Sequence, residues 1–323
     1  MEILKHIDEL NNMIVNSTNI FIMGHRYLDL DALGGAVGIY EYIKEKGKRP
    51  VIIINDKKNE KGVKKALDAI KDEYSIKTSN KIKDKINNES LLIVVDTNKD
   101  YLLQDKELFS LFKKVIVIDH HDENKQSINK GLIIIDKDAS STCEMIADLL
   151  DNENIKINKK TATIILSGIV LDTTNYVIKT TTDTYRTSYI LSLQGADPRY
   201  VQYLLKQDLK EYVERQKVIT NVKQIKNVAL SKGKSNIIYR REDLAKIADT
   251  LLQFDKIKAS FVIGKLENGE IGISARSLGI INVGKILEKF NGGGDENEAG
   301  ASIKDSTIKK VEEELKNIIK TLN

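Results

Sequence analysis

Five short runs of isoleucine, valine and leucine punctuate the first half of the chain, at 19–23, 51–55, 91–95, 115–118 and 132–135. They are continuously apolar rather than alternating, the pattern of strands covered on both faces. Between them lie stretches of helical period, such as 32–46 and 62–71. The alternation predicts an α/β domain with a mostly parallel sheet. Beyond residue 141 the chain turns helical, with expected helices at 143–150, 161–176 and 183–193. A break follows at 195–198, and then one long polar helix at 204–222. Strands return from about residue 226, at 235–239, 259–265 and 270–276; a helix at 282–290 leads into the glycines 292–294, and a last helix covers 306–322. The expected organisation is a larger domain over 1–193, a helical connector over 194–225 and a smaller α/β domain over 226–323.

Open α/β sheets bind ligands at the carboxyl ends of their strands. The first run ends in Gly24-His25, followed by Asp29 and Asp31; the third ends in Asp96; the fourth ends in Asp119-His120-His121. The apolar helix from Thr161 carries Asp172 near its end. Alone, each aspartate after a strand reads as a turn or cap residue, and Asp31 as the N-cap of the helix beginning at Ala32. Together they read differently, because three of the chain's four histidines fall at two strand ends beside aspartates. Oxygen-rich sites with a few imidazoles suit Mn²⁺ or Mg²⁺ better than structural zinc. There are more candidate ligands than one ion with open positions can use. Two ions sharing a carboxylate use them naturally, and such pairs serve phosphoryl displacement.

The motif Gly24-His25-x-x-x-Asp29-x-Asp31, followed by Asp119-His120-His121, resembles the signature of the DHH phosphoesterase superfamily. The segment Ile271-Gly-Ile-Ser-Ala-Arg-Ser-Leu-Gly279, then Asn282-Val283 and Gly292-Gly-Gly294, is similar to the DHHA1 substrate domain. The 274–279 stretch and Gly195-Ala-Asp197 resemble the catalytic module of GdpP-type cyclic di-AMP phosphodiesterases. The resemblance implies a DHH domain, a connector and a DHHA1 domain, with the active site in the cleft between them. It implies two divalent metal ions, Mn²⁺ first and Mg²⁺ as the alternative. His25 and Asp29 would bind one, Asp31, His120 and Asp172 the other, and Asp96 both. Asp119 and His121 would orient these ligands. Arg276, Ser274 and the glycines Gly292, Gly293 and Gly294 would contact substrate phosphate. Ser140-Ser141-Thr142 would cap a helix or touch phosphate. The implied reaction is hydrolysis of cyclic di-AMP, or a related dinucleotide, to linear pApA. The alternatives are a hydrolase of short linear nucleotides or 3′-phosphoadenosine phosphate, and a dinucleotide-binding module with impaired catalysis. Where the family's glycine loop continues into histidine, this chain has Asp295-Glu296-Asn297-Glu298. That substitution places three carboxylates near the expected phosphate and predicts weaker anion binding there.

Composition narrows the remaining classes. In 323 residues, 51 Lys and Arg stand against 47 Asp and Glu, a formal net charge of +4, which does not suit coating long nucleic acid through bulk charge. The expected partner is a small dinucleotide, with a homodimer as a further option. The single cysteine, Cys143, excludes an intrachain disulfide and fits a reducing compartment. No apolar run approaches the roughly 20 residues of a membrane span. The expected location is the cytoplasm, as a free protein or as the cytoplasmic module of a membrane-anchored one.

Overall fold

The computed structural model describes residues 1–55 and 59–322, which divide into two compact units, Met1–Lys206 and Gln207–Asn323. In the first unit, β1 (Ile20–Met23), β2 (Val51–Ile53), β3 (Ile76–Lys77), β4 (Leu91–Val95), β5 (Lys114–Asp119) and β6 (Leu132–Ile135) form one sheet. Its order is β3-β2-β1-β4-β5-β6, and every neighbouring pair is parallel. The helices are α1 (Ile7–Val15), α2 (Leu30–Glu45), α3 (Lys61–Ile70), α4 (Lys106–Ser110), α5 (Thr142–Asn152), α6 (Lys159–Asp172), α7 (Thr182–Leu193) and α8 (Pro198–Leu204). Strands β1 and β4 are wholly buried, as their unbroken apolar runs require. Because strand order reverses between β1 and β4, the crevice at their carboxyl ends is the topological switch point, where such sheets take ligands.

Small side chains set the helix packing above that crevice. A β-carbon at Gly34 would lie 2.3 Å from Cys143 Sγ, and one at Gly168 would lie 2.4 Å from the same sulfur and 2.8 Å from Asp31 Cα. Neither would fit, so glycine at these positions lets α2, α5 and α6 close together. That closeness brings Asp31, the first turn of α5 and Asp172 to one place.

The second unit holds α9 (Leu209–Ile219), β7 (Lys223–Ile225), β8 (Val228–Lys232), β9 (Ile238–Tyr239), α10 (Arg241–Leu252), β10 (Ala259–Leu266), β11 (Ile271–Ser277), α11 (Val283–Glu288), β12 (Gly293–Gly294), β13 (Glu298–Ile303) and α12 (Ile308–Thr321). The sheet is mixed, in the order β12-β13-β11-β10-β8-β7, with β9 on β10. Alternate residues of β10 serve opposite faces: Phe261 and Ile263 join a core with α11 and α12, while Val262 packs with Leu244, Ile247 and Leu251 of α10.

Several elements differ from the sequence expectation. The helix expected at 204–222 is shortened to α9 at Leu209–Ile219: α8 ends at Leu204, and Asp208 accepts from the N–H groups of Lys210 and Glu211 to start α9 afresh. The strand expected at 235–239 shrinks to Ile238–Tyr239, while β3, β7, β8, α10 and β13 are additional. Among the described residues, no helix is long and apolar enough to cross a membrane.

Candidate metal centre

Each strand-end residue is set by local backbone geometry. Asp29, rather than Asp31, caps α2: its Oδ1 accepts from the N–H groups of Asp31 and Ala32, at 3.0 and 2.9 Å. The cap that Asp31 suggests when taken alone is therefore Asp29, because Asp31 is already in the first helical turn. Capping uses one oxygen of Asp29 and leaves Oδ2 facing His25 Nε2 at 3.5 Å. His25 Nδ1 lies 2.8 Å from Arg26 O, which fixes a proton on Nδ1 and turns Nε2 toward Asp29 and Asp96. Asp31 is fully buried and accepts from two more backbone donors, Thr142 N at 2.8 Å and Cys143 N at 2.9 Å. These are orphan N–H groups of the first turn of α5, so a helix amino end stabilises the carboxylate. Asp119 Oδ1 accepts from His120 N at 2.9 Å and faces His121 Nδ1 at 2.7 Å.

Asp96 joins the set. Its backbone adopts a left-handed φ of 61° just beyond β4, a conformation aspartate tolerates better than most residues. Its Oδ2 lies 3.4 Å from His25 Nε2, while its Oδ1 lies 3.5 Å from His120 Nε2. The two oxygens of one carboxylate therefore face two different imidazoles. Around His120 Nε2 also stand Asp172 Oδ2 at 3.2 Å and Asp31 Oδ2 at 3.9 Å. Three overlapping ligand sets result: His25, Asp29 and Asp96; Asp31, His120 and Asp172; and Asp96, His120 and His121.

The charge balance calls for cations. Four carboxylates converge on this crevice, and among the described residues their only basic side-chain partners are histidines. Burial pushes Asp31 well above the ordinary carboxylate range, and the charges of Asp96 and Asp172 push it further. Burial raises Asp172 in the same way. For Asp96, burial acts upward too, but His120 and His25 outweigh it and hold the group well below its usual value. Both ring nitrogens of His120 are buried without a hydrogen-bond partner. Buried polar nitrogens and clustered carboxylates are costly unless something satisfies them. Divalent cations fit this donor set: hard oxygens, two to three imidazoles and, among these residues, no thiolate.

Neighbours hold the crevice in shape. Thr142 Oγ1 donates to Asp96 Oδ1 at 3.2 Å, and Ser141 caps α5 by accepting from Glu144 N. Ser140 hydrogen-bonds to the buried Glu144. All three residues of the Ser140-Ser141-Thr142 run are thus engaged in capping or in bonding carboxylates. Asn98 Nδ2 donates to His121 O at 3.0 Å, and Lys99 Nζ donates to Asp122 O at 3.1 Å, clamping the loop after the Asp-His-His triplet. Sequence reasoning passed over Asn98 and Lys99; their only signal is position, two and three residues after Asp96.

In the second unit, a cavity of about 440 Å³ is lined by Arg241, Ser274, Arg276, Gly293, Gly294 and Glu298, among others. Ser274 and Arg276 point to the α10 side of the sheet, opposite Ile273 and Ala275. Arg276 Nε donates to Asp249 Oδ1 at 2.7 Å, its Nη1 donates to Ala275 O, and its Nη2 lies 3.6 Å from Glu298 Oε2. Asp249, on the unexpected α10, is a partner the sequence pattern did not expose. The glycines are not equivalent. A β-carbon at Gly292 would lie 2.5 Å from Gly300 O, and one at Gly294 2.2 Å from Glu298 O, so both are dictated by the β12–β13 hairpin. Gly293 has nothing within 4 Å and is the one with an open face. Asp295 Oδ1 accepts from Asn297 N and Glu298 N, both at 2.7 Å. Its carboxylate closes the hairpin turn, and Glu298 is the acid that meets Arg276.

The fold is thus an α/β domain whose all-parallel sheet carries, at its switch point, carboxylates and imidazoles that could hold metal ions, followed by a mixed-sheet domain with an arginine-lined cavity. Residues 19–169 match the DHH family, N-terminal domain, and residues 219–323 match the DHHA1 domain. The chain belongs to the DHH–DHHA1 phosphoesterases. It is 34% identical over 319 residues to the cyclic-di-AMP phosphodiesterase GdpP of Geobacillus thermodenitrificans, covering 96% of this chain and 48% of that protein. It thus spans about half the length of that relative. It is 27% identical to the bifunctional oligoribonuclease and PAP phosphatase NrnA of Mycoplasma genitalium, over 92% of each chain. Among solved structures, an exopolyphosphatase-related protein from Bacteroides fragilis shares the fold, with a TM-score of 0.81, 20% identity and 98% of both chains covered.

Proposed function

We propose that this chain is a two-metal phosphodiesterase whose substrate is a cyclic dinucleotide, cyclic di-AMP first, opened to linear pApA. The observation that carries the reading is Asp96, whose two oxygens face His25 on one side and His120 on the other. His25, Asp29 and Asp96 would hold one divalent ion; Asp31, Asp96, His120 and Asp172 would hold the second. Such ions, when bound, polarise the phosphoryl oxygens and make water a better nucleophile. The protein's own groups do the rest. The α5 amino end fixes Asp31, the α2 cap fixes Asp29, and the Arg26 carbonyl fixes His25, so the ligands are placed before substrate arrives. Asp119 holds the half-exposed His121 by Nδ1, leaving Nε2 free. Burial acts to lower His121, but Asp119 outweighs it, so the imidazole sits above its ordinary value and can donate a proton to a leaving oxygen. Arg276 would bind a substrate phosphate, with Ser274 and the open face of Gly293 beside it.

The similarity to the G. thermodenitrificans cyclic-di-AMP phosphodiesterase supports the cyclic substrate. A second reading, cleavage of short linear nucleotides, is favoured by the 27% identity to the NrnA relative. The deciding experiment incubates Mn²⁺-loaded protein with cyclic di-AMP, cyclic di-GMP, pApA, pGpG and 3′-phosphoadenosine 5′-phosphate, and resolves products by chromatography. The first reading expects cyclic di-AMP to be consumed fastest, with pApA accumulating. Turnover of only the linear compounds would establish the second.

A further inference from the structure

Two tyrosines beside the metal centre have ring faces that the fold does not use. Tyr27 lies two residues from His25 and two from Asp29, and its side chain is 46% exposed. Its backbone is left-handed, with φ at 59°, a region unfavourable for a residue with a β-carbon. Strain of this kind persists where surrounding structure imposes it, often at functional sites. What imposes it is visible: His25 pairs with Leu103 in an antiparallel bridge, Arg26 N–H donates to Leu102 O at 2.7 Å, and Gln104 N–H donates to Gly24 O. Tyr101 stands two residues from Leu103 on the side of the bridge toward which Tyr27 leads, and is 43% exposed. Of the other exposed tyrosines, Tyr185 stacks on Tyr176 and Tyr203 stacks on Tyr200 under Lys65, while Tyr189 and Tyr212 lie on α7 and α9 rather than beside a ligand motif. Among the described residues, neither Tyr27 nor Tyr101 forms a hydrogen bond, ring contact or cation contact.

We propose that Tyr27, with Tyr101 beside it, is a stacking platform for a nucleobase of the substrate. The inference rests on the reading of the substrate as a nucleotide and adds the residue that holds its base. A phosphodiester bound among His25, Asp29 and Asp96 carries its nucleosides outward, and two residues of chain reach at most about 7 Å from those ligands. Every base has a π-face, so an aromatic ring there binds bases with little sequence preference. The platform therefore favours nucleotides over base-free phosphodiesters without itself choosing adenine.

The chain has no tryptophan, so Tyr27→Trp introduces a single fluorophore at the proposed contact. Titrating metal-loaded Tyr27→Trp with AMP should quench it, while ribose 5-phosphate at the same concentrations should not. In turnover, Tyr27→Ala should raise KM for the preferred dinucleotide about five- to hundredfold. Metal content should stay unchanged, and Tyr27→Phe should restore the KM. Equal responses to AMP and ribose 5-phosphate, or an unchanged KM in Tyr27→Ala, would overturn the platform while leaving the phosphodiesterase reading intact. Wild-type protein that cleaves no dinucleotide would instead remove the substrate reading, and the AMP titration would still decide the platform.

Discussion

The crevice of the first unit and the cavity of the second are built from opposite chemistry and held by opposite means. The crevice gathers acceptors: Asp29 is fixed by the start of α2, Asp31 by the start of α5 and Asp119 by the N–H of His120, while Asp96 and Asp172 meet side chains, Thr142 and the histidines. The cavity offers a cation, and Arg276 is fixed mainly by the side chains of Asp249 and Glu298. Backbone donors cannot change rotamer, so Asp29, Asp31 and Asp119 are held in place by the fold itself. Side-chain partners can move, so an anion arriving at Arg276 can replace Glu298, and the cavity can adapt to what it binds.

This contrast can be broken or sharpened by substitution. The largest effect belongs to Asp96→Asn, which removes the one charge shared by the two proposed ion sites. Turnover should fall about a thousandfold or more, since metal-ion stabilisation of phosphoryl transfer is worth several kcal/mol. Steady-state kinetics at saturating Mn²⁺ checks it; activity within tenfold of wild type would place the essential carboxylate elsewhere. Arg276→Ala comes next. Losing a charge-assisted hydrogen bond costs about 1.5–3 kcal/mol, so KM should rise roughly ten- to a hundredfold while metal content holds. An unchanged KM would show that Arg276 does not touch substrate.

The smallest effect is on stability. Glu312 on α12 is buried among Lys223, Lys232 and Lys316. Burial acts to raise it, but Lys232 and Lys316 prevail and lower it from 4.5 to about 2. A depressed folded-state value stabilises the fold above the unfolded value, and that contribution is lost as pH falls from 4.5 toward about 2. Glu312→Gln should therefore melt a few degrees lower at pH 7, with the gap closing in that acid window. A gap independent of pH would mean that the charge is not what matters.

The same contrast explains what the sequence disclosed. The crevice was legible because parallel strands buried on both faces are unbroken apolar runs, and His25, Asp96 and the Asp119-His120-His121 triplet follow directly upon them. Asp31 taken alone also fits a cap, because spacing does not distinguish the last residue before a helix from one in its first turn. The backbone N–H groups of Thr142 and Cys143 that fix Asp31 are far away in sequence and carry no side-chain signature. The second unit was harder to read. Its β13, Glu-Ala-Gly-Ala-Ser-Ile, has small residues with little strand propensity and is made a strand by pairing with β11. The helix α10 begins Arg-Glu-Asp and has no side-chain cap, so Asp249 could not be placed opposite Arg276. The glycines at 292–294 suggested a phosphate cradle, whereas the hairpin itself demands two of them.

The central claim is that one carboxylate serves two metal ions. Metal stoichiometry tests it most directly: elemental analysis of wild-type and Asp96→Asn protein after Mn²⁺ loading and desalting, alongside the electron paramagnetic resonance of the bound Mn²⁺. Two Mn²⁺ per wild-type chain, with the spectrum of a coupled pair, are expected, and Asp96→Asn should retain both ions less well. At most one ion in fully loaded wild-type protein, or two magnetically isolated ions that Asp96→Asn keeps undiminished, would contradict it.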